Sequence, residues 1–430
     1  MNDSRVDVGA LYDSISPNTG DSAIGIAVSQ ELARHGIAPT RVVAPFDDDP
    51  GEPGLCIVGG GELIRPSGDP YYDRFRPRGP HVLNSVGVWD TADDLDHLRD
   101  YRLVSARSSR EVDILRASVP EAELVPCTTT TLVSEPYRIP GLPDDGEPVV
   151  GIHVVPHTME QVPEIVEAVN AIEHRKVFIP FTHYNHDDSF MAALPFDRSN
   201  AIDLPRLTPP ELHSVIGQMT YVLVSSLHAT IFAFAQGVPF ATVDQLKVVN
   251  YLRDRDLADM VFSDTHSLTE VLHRVQEDPP DMAAAVARDK EAVHTWFGRV
   301  ASLVSPPADR APVEPEIVQP GRAPSVETLD LIARQREQVI LGRDGVLASA
   351  SRRSSRLFAK TAELDEMIES GRRAVAAERS RSDAMERDLA ETRDELARIR
   401  DQLARTFDAR LRSRAAGLRG RARTDRGGRG

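Results

Sequence analysis

The chain has 430 residues, with 66 Asp and Glu against 50 Lys and Arg. That length exceeds one ordinary hydrophobic core and predicts two domains plus an extension. The net charge of −16 is uneven: residues 351–430 hold 21 basic and 14 acidic side chains, a net of +7, which leaves −23 before them, and an acidic body argues against general or specific nucleic-acid binding.

The opening MNDSRVDVGALYDS has neither the basic start nor the apolar core of a signal peptide, and no run of about 18 apolar residues occurs. A cytoplasmic protein is expected, with peripheral membrane contact left open. Val8 to Ile15 reads as a strand, PNTGDS as a turn, and Ala23 to His35 as a helix capped by Asp21 or Ser22 and stopped by Gly36. Strands follow at Arg41 to Pro45, Leu55 to Val58, His81 to Val88 and Arg102 to Ala106, with a helix near Arg110 to Arg116. Alternation of this kind predicts a mostly parallel sheet. Cys56 and Cys127 lie in or beside apolar runs without metal-ligand spacing, so they read as buried reduced thiols.

Four prolines between Pro136 and Pro148 mark a domain junction. Beyond it come a strand at Val149 to Val155, a helix at Met159 to Ile172 and a strand at Lys176 to Phe181. Thr208, Pro209 and Glu211 are the cap, first-turn proline and capping-box acid of another helix. In YVLVSSLHATIFAFAQGVPFATVD, two short β-branched runs, Tyr221 to Val224 and Phe240 to Val243, flank a helix at Leu227 to Gln236, capped by Ser225 or Ser226 and stopped by Gly237. Helices at Lys247 to Arg253, Leu268 to Gln276 and Met282 to Leu303 complete the body.

Residues 1–140 and 149–304 thus read as two doubly wound Rossmann-like α/β domains. Residues 305–325 are a proline-rich linker, 326–410 a long helix, and 411–430 a basic disordered tail able to touch an anionic surface. A heptad seam from Leu357 to Leu403 is apolar at nine of fourteen positions, interrupted near Gly371 and Glu378, which predicts a coiled coil and self-association.

Ligands in doubly wound folds bind beyond the carboxyl ends of strands. Asn18, Gly20 and Asp21, the glycines Gly59, Gly60 and Gly61, and Ser225 to His228 all occupy such positions. His228 is either a satisfied core polar group or a neutral imidazole at the positive end of a buried helix. Gly59 to Gly61 form either a tight turn or a close approach to a ligand, and no phosphate-binding Gly-Lys-Ser/Thr follows them. His183, His186, Asp187 and Asp188 read as a solvated loop rather than a metal site.

The stretches Asn18-Thr-Gly20-Asp21, IVGGGELI and SLHATIFAFAQGVPF resemble the polysaccharide pyruvyl transferase family over about residues 8 to 300, with weaker likeness at Val104 to Leu115, Val177 to Asp188 and Lys247. The resemblance implies a two-domain fold of the glycosyltransferase-B type, phosphoenolpyruvate as donor with no further cofactor, and a glycan or lipid-linked glycan as acceptor. It makes His228 the catalytic histidine. Where the family carries an arginine two residues before that histidine, this chain has Ser226; where it has Arg-Asp, this chain has Arg107-Ser108; and Cys127 replaces an aspartate. A serine cannot replace a bidentate anion clamp. His153, Arg107 and Lys247, with Ser225 and Ser226, are therefore the expected donor-binding groups. The alternatives are a nucleotide-sugar glycosyltransferase or an inactive scaffold.

Overall fold

The computed structural model describes residues 8–13, 18–38, 41–43, 54–69, 72–182, 187–304 and 312–313. The expected coiled coil and basic tail, and His183 and His186, lie outside the described residues. Two sheets of six strands, all parallel, form the body. The first contains β1 (Val8–Leu11), β2 (Arg41–Val43), β3 (Leu55–Gly59), β4 (Val82–Val86), β5 (Leu103–Ala106) and β6 (Glu123–Leu124), in the order β2-β1-β3-β4-β5-β6. The second contains β7 (Val149–Ile152), β8 (Arg175–Phe178), β9 (Ala201–Asp203), β10 (Tyr221–Val224), β11 (Phe240–Val243) and β12 (Val261–Phe262), in the order β12-β11-β10-β7-β8-β9. The order reverses between β1 and β3 in one sheet and between β7 and β10 in the other, and a crevice opens at such reversals.

Helix α1 (Thr19–Arg34) starts four residues before the expected position. Asn18, not Asp21 or Ser22, is the cap, with its side-chain oxygen accepting from the Gly20 amide. Helix α2 (Ser109–Arg116) follows β5, capped by Ser108. The single helix expected over Met159 to Ile172 is two, α3 (Pro156–Gln161) and α4 (Ile165–Asn170), because Pro163 between them supplies no amide and disfavours helical geometry at Val162. Helix α5 (Asp187–Ala193) was not foreseen, and Asp187 is buried rather than solvated. Helix α6 (Pro209–Ile216) has the expected capping box. Helix α7 (Leu227–Gln236) has the expected bounds, a Ser226 cap and left-handed Gly237 as stop. Helices α8 (Leu246–Arg253), α9 (Thr265–Glu277) and α10 (Ala283–Ser302) complete the body.

One apolar core runs through both sheets, from Ile24 and Val28 of α1 to Leu223, Ile231 and Phe234 around α7. A second fills the other face of the first sheet around Leu83, Phe75 and Leu98. Both cysteines are buried and unpaired. Helix α10 buries Val293, Trp296, Phe297 and Val300, a helical i, i+3, i+4, i+7 stripe. The Trp296 indole donates to Asn84 Oδ1 at 3.0 Å, so this C-terminal helix returns to the first sheet. Segments also meet where the Thr19 amide donates to the Phe181 carbonyl at 3.2 Å. No helix among the described residues is long and apolar enough to cross a membrane.

Candidate active site

Helix α7 is buried on all sides because its residues are apolar nearly throughout, so its first turn carries His228 into the interior at 8% exposure. The first turn of α1 meets it there. A Cβ built on Gly20 would stand 2.1 Å from His228 Nδ1 and 2.4 Å from Cγ, so only glycine lets the backbone lie against the imidazole. On the other side of the ring, Nε2 is 3.8 Å from Cys127 Sγ.

The charged groups come from strand ends of the first sheet and from α8. Arg107, directly after β5, is 2% exposed. Its Nε donates to Glu111 Oε1 at 3.3 Å, while its Nη2 stands 3.7 Å from Glu62 Oε1 and has no hydrogen-bond partner. Gly87 makes room for it, since a Cβ there would meet that Nη2 at 2.3 Å. Lys247 in the first turn of α8 donates to Glu62 Oε2 at 3.2 Å and ties α8 to the loop after β3. That loop turns through Gly60 and Gly61 at φ of +73° and +66°, a backbone that favours glycine. A Cβ on Gly61 would lie 3.1 Å from Asp21 Oδ1, and the Asn18 amide donates to Asp21 Oδ2 at 2.6 Å. Gly59 ends β3, where a Cβ would meet Asn84 Nδ2 at 3.3 Å.

These environments set the protonation states. Burial, then the charges of Arg107 and Lys247, push the His228 imidazole down to about 3, against the pull of Glu62. Burial also works to raise Glu62, but Lys247, Arg107 and Arg65 overcome it and hold that carboxyl at about 2. For Asp21, burial and the neighbouring Asp13 win over Lys247 and Arg107, and the carboxyl rises to about 7. Burial raises the Cys127 thiol against hydrogen bonding from Thr129 and the Arg107 charge, so it faces His228 as a thiol.

Asn18, Gly20, Asp21, Gly59 to Gly61, Arg107, His228 and Lys247 thus gather in one neighbourhood. His153 and Ser225 are committed to bonds with each other and with Asp187 and Thr158. His153 is fully buried, with Nδ1 accepting from the Ser225 amide at 3.3 Å and Nε2 bonded to Asp187 Oδ2 at 3.0 Å. The Ser225 hydroxyl donates to the His153 carbonyl at 2.7 Å and lies 2.5 Å from Thr158 Oγ1. Ser226 is occupied as the α7 cap, accepting from the Ala229 amide at 3.2 Å. Glu62 and Gly87 are the groups that sequence reasoning passed over; Glu62 follows the three glycines directly, which was the available signal. A surface hollow of about 570 Å³ lined by Asp90, Ser109, Arg110, Asp113, Ile114 and Arg253 contains none of the gathered residues.

Two six-stranded parallel sheets with helices between their strands make this an α/β protein. Residues 18–245, more than half of the chain, match the polysaccharide pyruvyl transferase family, and the chain belongs to it. No curated protein matches the chain. Among solved structures, it is similar to a protein assigned as a UDP-N-acetylglucosamine 2-epimerase from Listeria monocytogenes, at 12% identity and a TM-score of 0.48, covering 73% of this chain and 100% of that one. The Methanocaldococcus jannaschii UDP-GlcNAc 2-epimerase shows 9% identity and a TM-score of 0.42 over 69% of this chain and 99% of its own. A lipopolysaccharide outer core galactosyltransferase shows 11% identity and a TM-score of 0.38, with coverage of 69% and 99%.

Proposed function

We propose that this protein transfers pyruvate from phosphoenolpyruvate onto a sugar of a cell-surface polysaccharide or its precursor, forming a ketal. Family membership supports the donor and the class of acceptor. The observation that carries the reading is Arg107, a buried guanidinium with an Nη2 lacking any hydrogen-bond partner, in the same neighbourhood as Lys247 and His228. The donor is a dianion or trianion, and a cation excluded from water, as Arg107 is, binds such a group far more strongly than an exposed one.

Arg107 and Lys247 take the donor's phosphate and carboxylate, replacing the charge of the arginine that Ser226 lacks. Glu62 now sits between these cations, and the donor's anion takes its place. His228 lies beside the reacting carbon as a neutral imidazole able to accept a hydroxyl proton. Cys127 gives that ring a neutral neighbour where a carboxylate would raise its basicity. The acceptor hydroxyls reach the site along α1, where Asn18 and Asp21 supply polar contacts.

The test is phosphate release from phosphoenolpyruvate in the presence of glycan acceptors, with detection of the ketal. His228→Ala must abolish turnover in a folded protein. Full activity in that variant rejects the assignment.

A further inference from the structure

We propose that Asp21 is the acid–base residue of this site: its carboxyl delivers a proton to C3 of the donor and takes one back from the first attacking hydroxyl. This rests on the transfer reaction proposed above, and it assigns to Asp21 a step, protonation of carbon, for which a neutral imidazole is too weak an acid.

The geometry comes first. Asp21 follows Gly20, the residue that lies against the His228 ring, in the first turn of α1. One carboxylate oxygen is held by the Asn18 amide at 2.6 Å. The other faces Gly61, whose missing side chain leaves room beside it. Asp21 keeps some exposed surface, which His228 almost wholly lacks, although its surroundings strip enough water from the carboxyl for burial to be the largest influence on it.

The charges facing it come from four directions. Asp13 stands after β1, Glu62 after β3, Arg107 after β5, and Lys247 in α8. Arg107, Lys247 and Glu62 also act on His228, which places both groups in one electrostatic neighbourhood. Burial first, then the two cations, disfavours a protonated ring, so the imidazole stays neutral near pH 7. Burial first, then Asp13 and to a lesser degree Glu62, disfavours a further negative charge, so the Asp21 carboxyl keeps a substantial population of its acid form there, matched to proton transfer at that pH.

The chemistry then balances. The carboxyl O–H breaks and C3–H forms with the electron pair of the C2–C3 double bond, leaving C2 cationic. The first hydroxyl oxygen donates a pair to C2, and its proton returns to the Asp21 carboxylate. The C2–O bond to phosphate breaks, with the pair leaving on phosphate. The second hydroxyl oxygen bonds C2, and its proton passes through the neutral His228 ring to the departing phosphate. Two hydroxyl protons are consumed, one on the new methyl group and one on phosphate.

Asp21→Asn keeps an acceptor for the Asn18 amide and removes the titration. Wild type is expected to lose kcat/KM above pH 7, and the variant to lower kcat by about 100-fold or more, leave KM for phosphoenolpyruvate within a few-fold, and erase that fall; a wild type with no such fall also overturns the inference. Retention of that limb in the variant, or activity within a few-fold of wild type, overturns the inference and leaves the transfer reaction standing. Absence of phosphate release by wild type overturns both. Should the variant not fold, carbon-13 NMR of the wild-type aspartate carboxyls decides: a carboxyl titrating near 7 supports the assignment, and none above pH 5 overturns it.

Discussion

The backbone of Gly20 in α1 packs flat against the imidazole of His228 in α7, a contact that would place any Cβ at position 20 within 2.1 Å of Nδ1. Two helices more than two hundred residues apart in the chain thereby meet at their first turns. Gly20→Ala should destabilise the fold by about 1–3 kcal/mol, the usual cost of overfilling a packed interior. In a His228→Ala background the ring is gone while the Cβ of residue 228, 2.6 Å from the added methyl, remains, so the same change should cost clearly less without vanishing. Denaturant unfolding of the four chains measures this coupling, and additive costs would mean that ring and glycine do not touch in solution.

The same imidazole makes a pH prediction. It titrates at about 3 in the folded chain against an ordinary 6.5. As pH falls below 6.5 the unfolded chain takes up a proton and the folded chain does not, so stability contributed by the neutral ring is full above 6.5 and declines toward 3. Melting temperature should therefore drop more steeply from pH 6.5 to 4 in wild type than in His228→Gln. Parallel curves would show that the ring titrates normally.

Asp21 gives the opposite sign. Its carboxyl titrates at about 7 when folded against an ordinary 3.8. Its contribution is fully present below 3.8 and is lost as pH rises through 7, because the folded site then holds a carboxylate that burial and Asp13 disfavour. Asp21→Asn should be more stable than wild type at pH 8 and no more stable at pH 4. Equal melting temperatures for the two chains at pH 8 would contradict the raised carboxyl.

Much of this was legible where one residue decides the local structure. The α7 unit was bounded correctly because β-branched runs, a serine cap and Gly237 each act within a few residues. The start of α1 was missed because Asn18 out-competes Asp21 as cap, a choice made by side-chain geometry rather than residue type. Strands β6, β9 and β12 have only two or three residues, too few to show a period. At the site, positions after strands marked Asn18, Asp21 and His228 as candidates, and the family resemblance added Arg107 and Lys247. The fit of Gly20 to His228, or of Gly87 to Arg107, depends on packing between distant segments and leaves no local trace. His153 and Asp187 show the converse: ligand-like residue types committed to holding backbone together.

That buried pair yields a stability prediction. Asp187 Oδ2 accepts from His153 Nε2, from the Phe181 and Thr182 amides at 2.6 and 2.5 Å, and from Thr182 Oγ1 at 3.1 Å. Burial works to raise this carboxyl, but these bonds hold it well below the usual carboxylate range. Asp187→Ala leaves several donors unpaired in the interior and should cost about 3–5 kcal/mol. The contribution is present above 3.8 and fades as pH falls below it. A loss under 1 kcal/mol in denaturant unfolding at pH 7 would mean that water reaches these groups.

Glu62 separates two accounts of the cations it touches. If its carboxylate only completes the interior, neutralising it leaves Arg107 and Lys247 less satisfied and weakens the protein without improving donor binding. If it occupies the position that the donor's anion takes, it competes with the donor at every binding event. The 3.7 Å gap to Arg107 Nη2, an ion pair without a hydrogen bond, favours competition, because an anion with more acceptor oxygens can satisfy both cations at once. Glu62→Gln should then lower KM for phosphoenolpyruvate several-fold, and Lys247→Ala should raise it at least 10-fold, the scale of one lost charge-assisted hydrogen bond. Initial-rate measurements of phosphate release decide the matter: a raised KM in Glu62→Gln would make this carboxylate a partner of the substrate and not its rival.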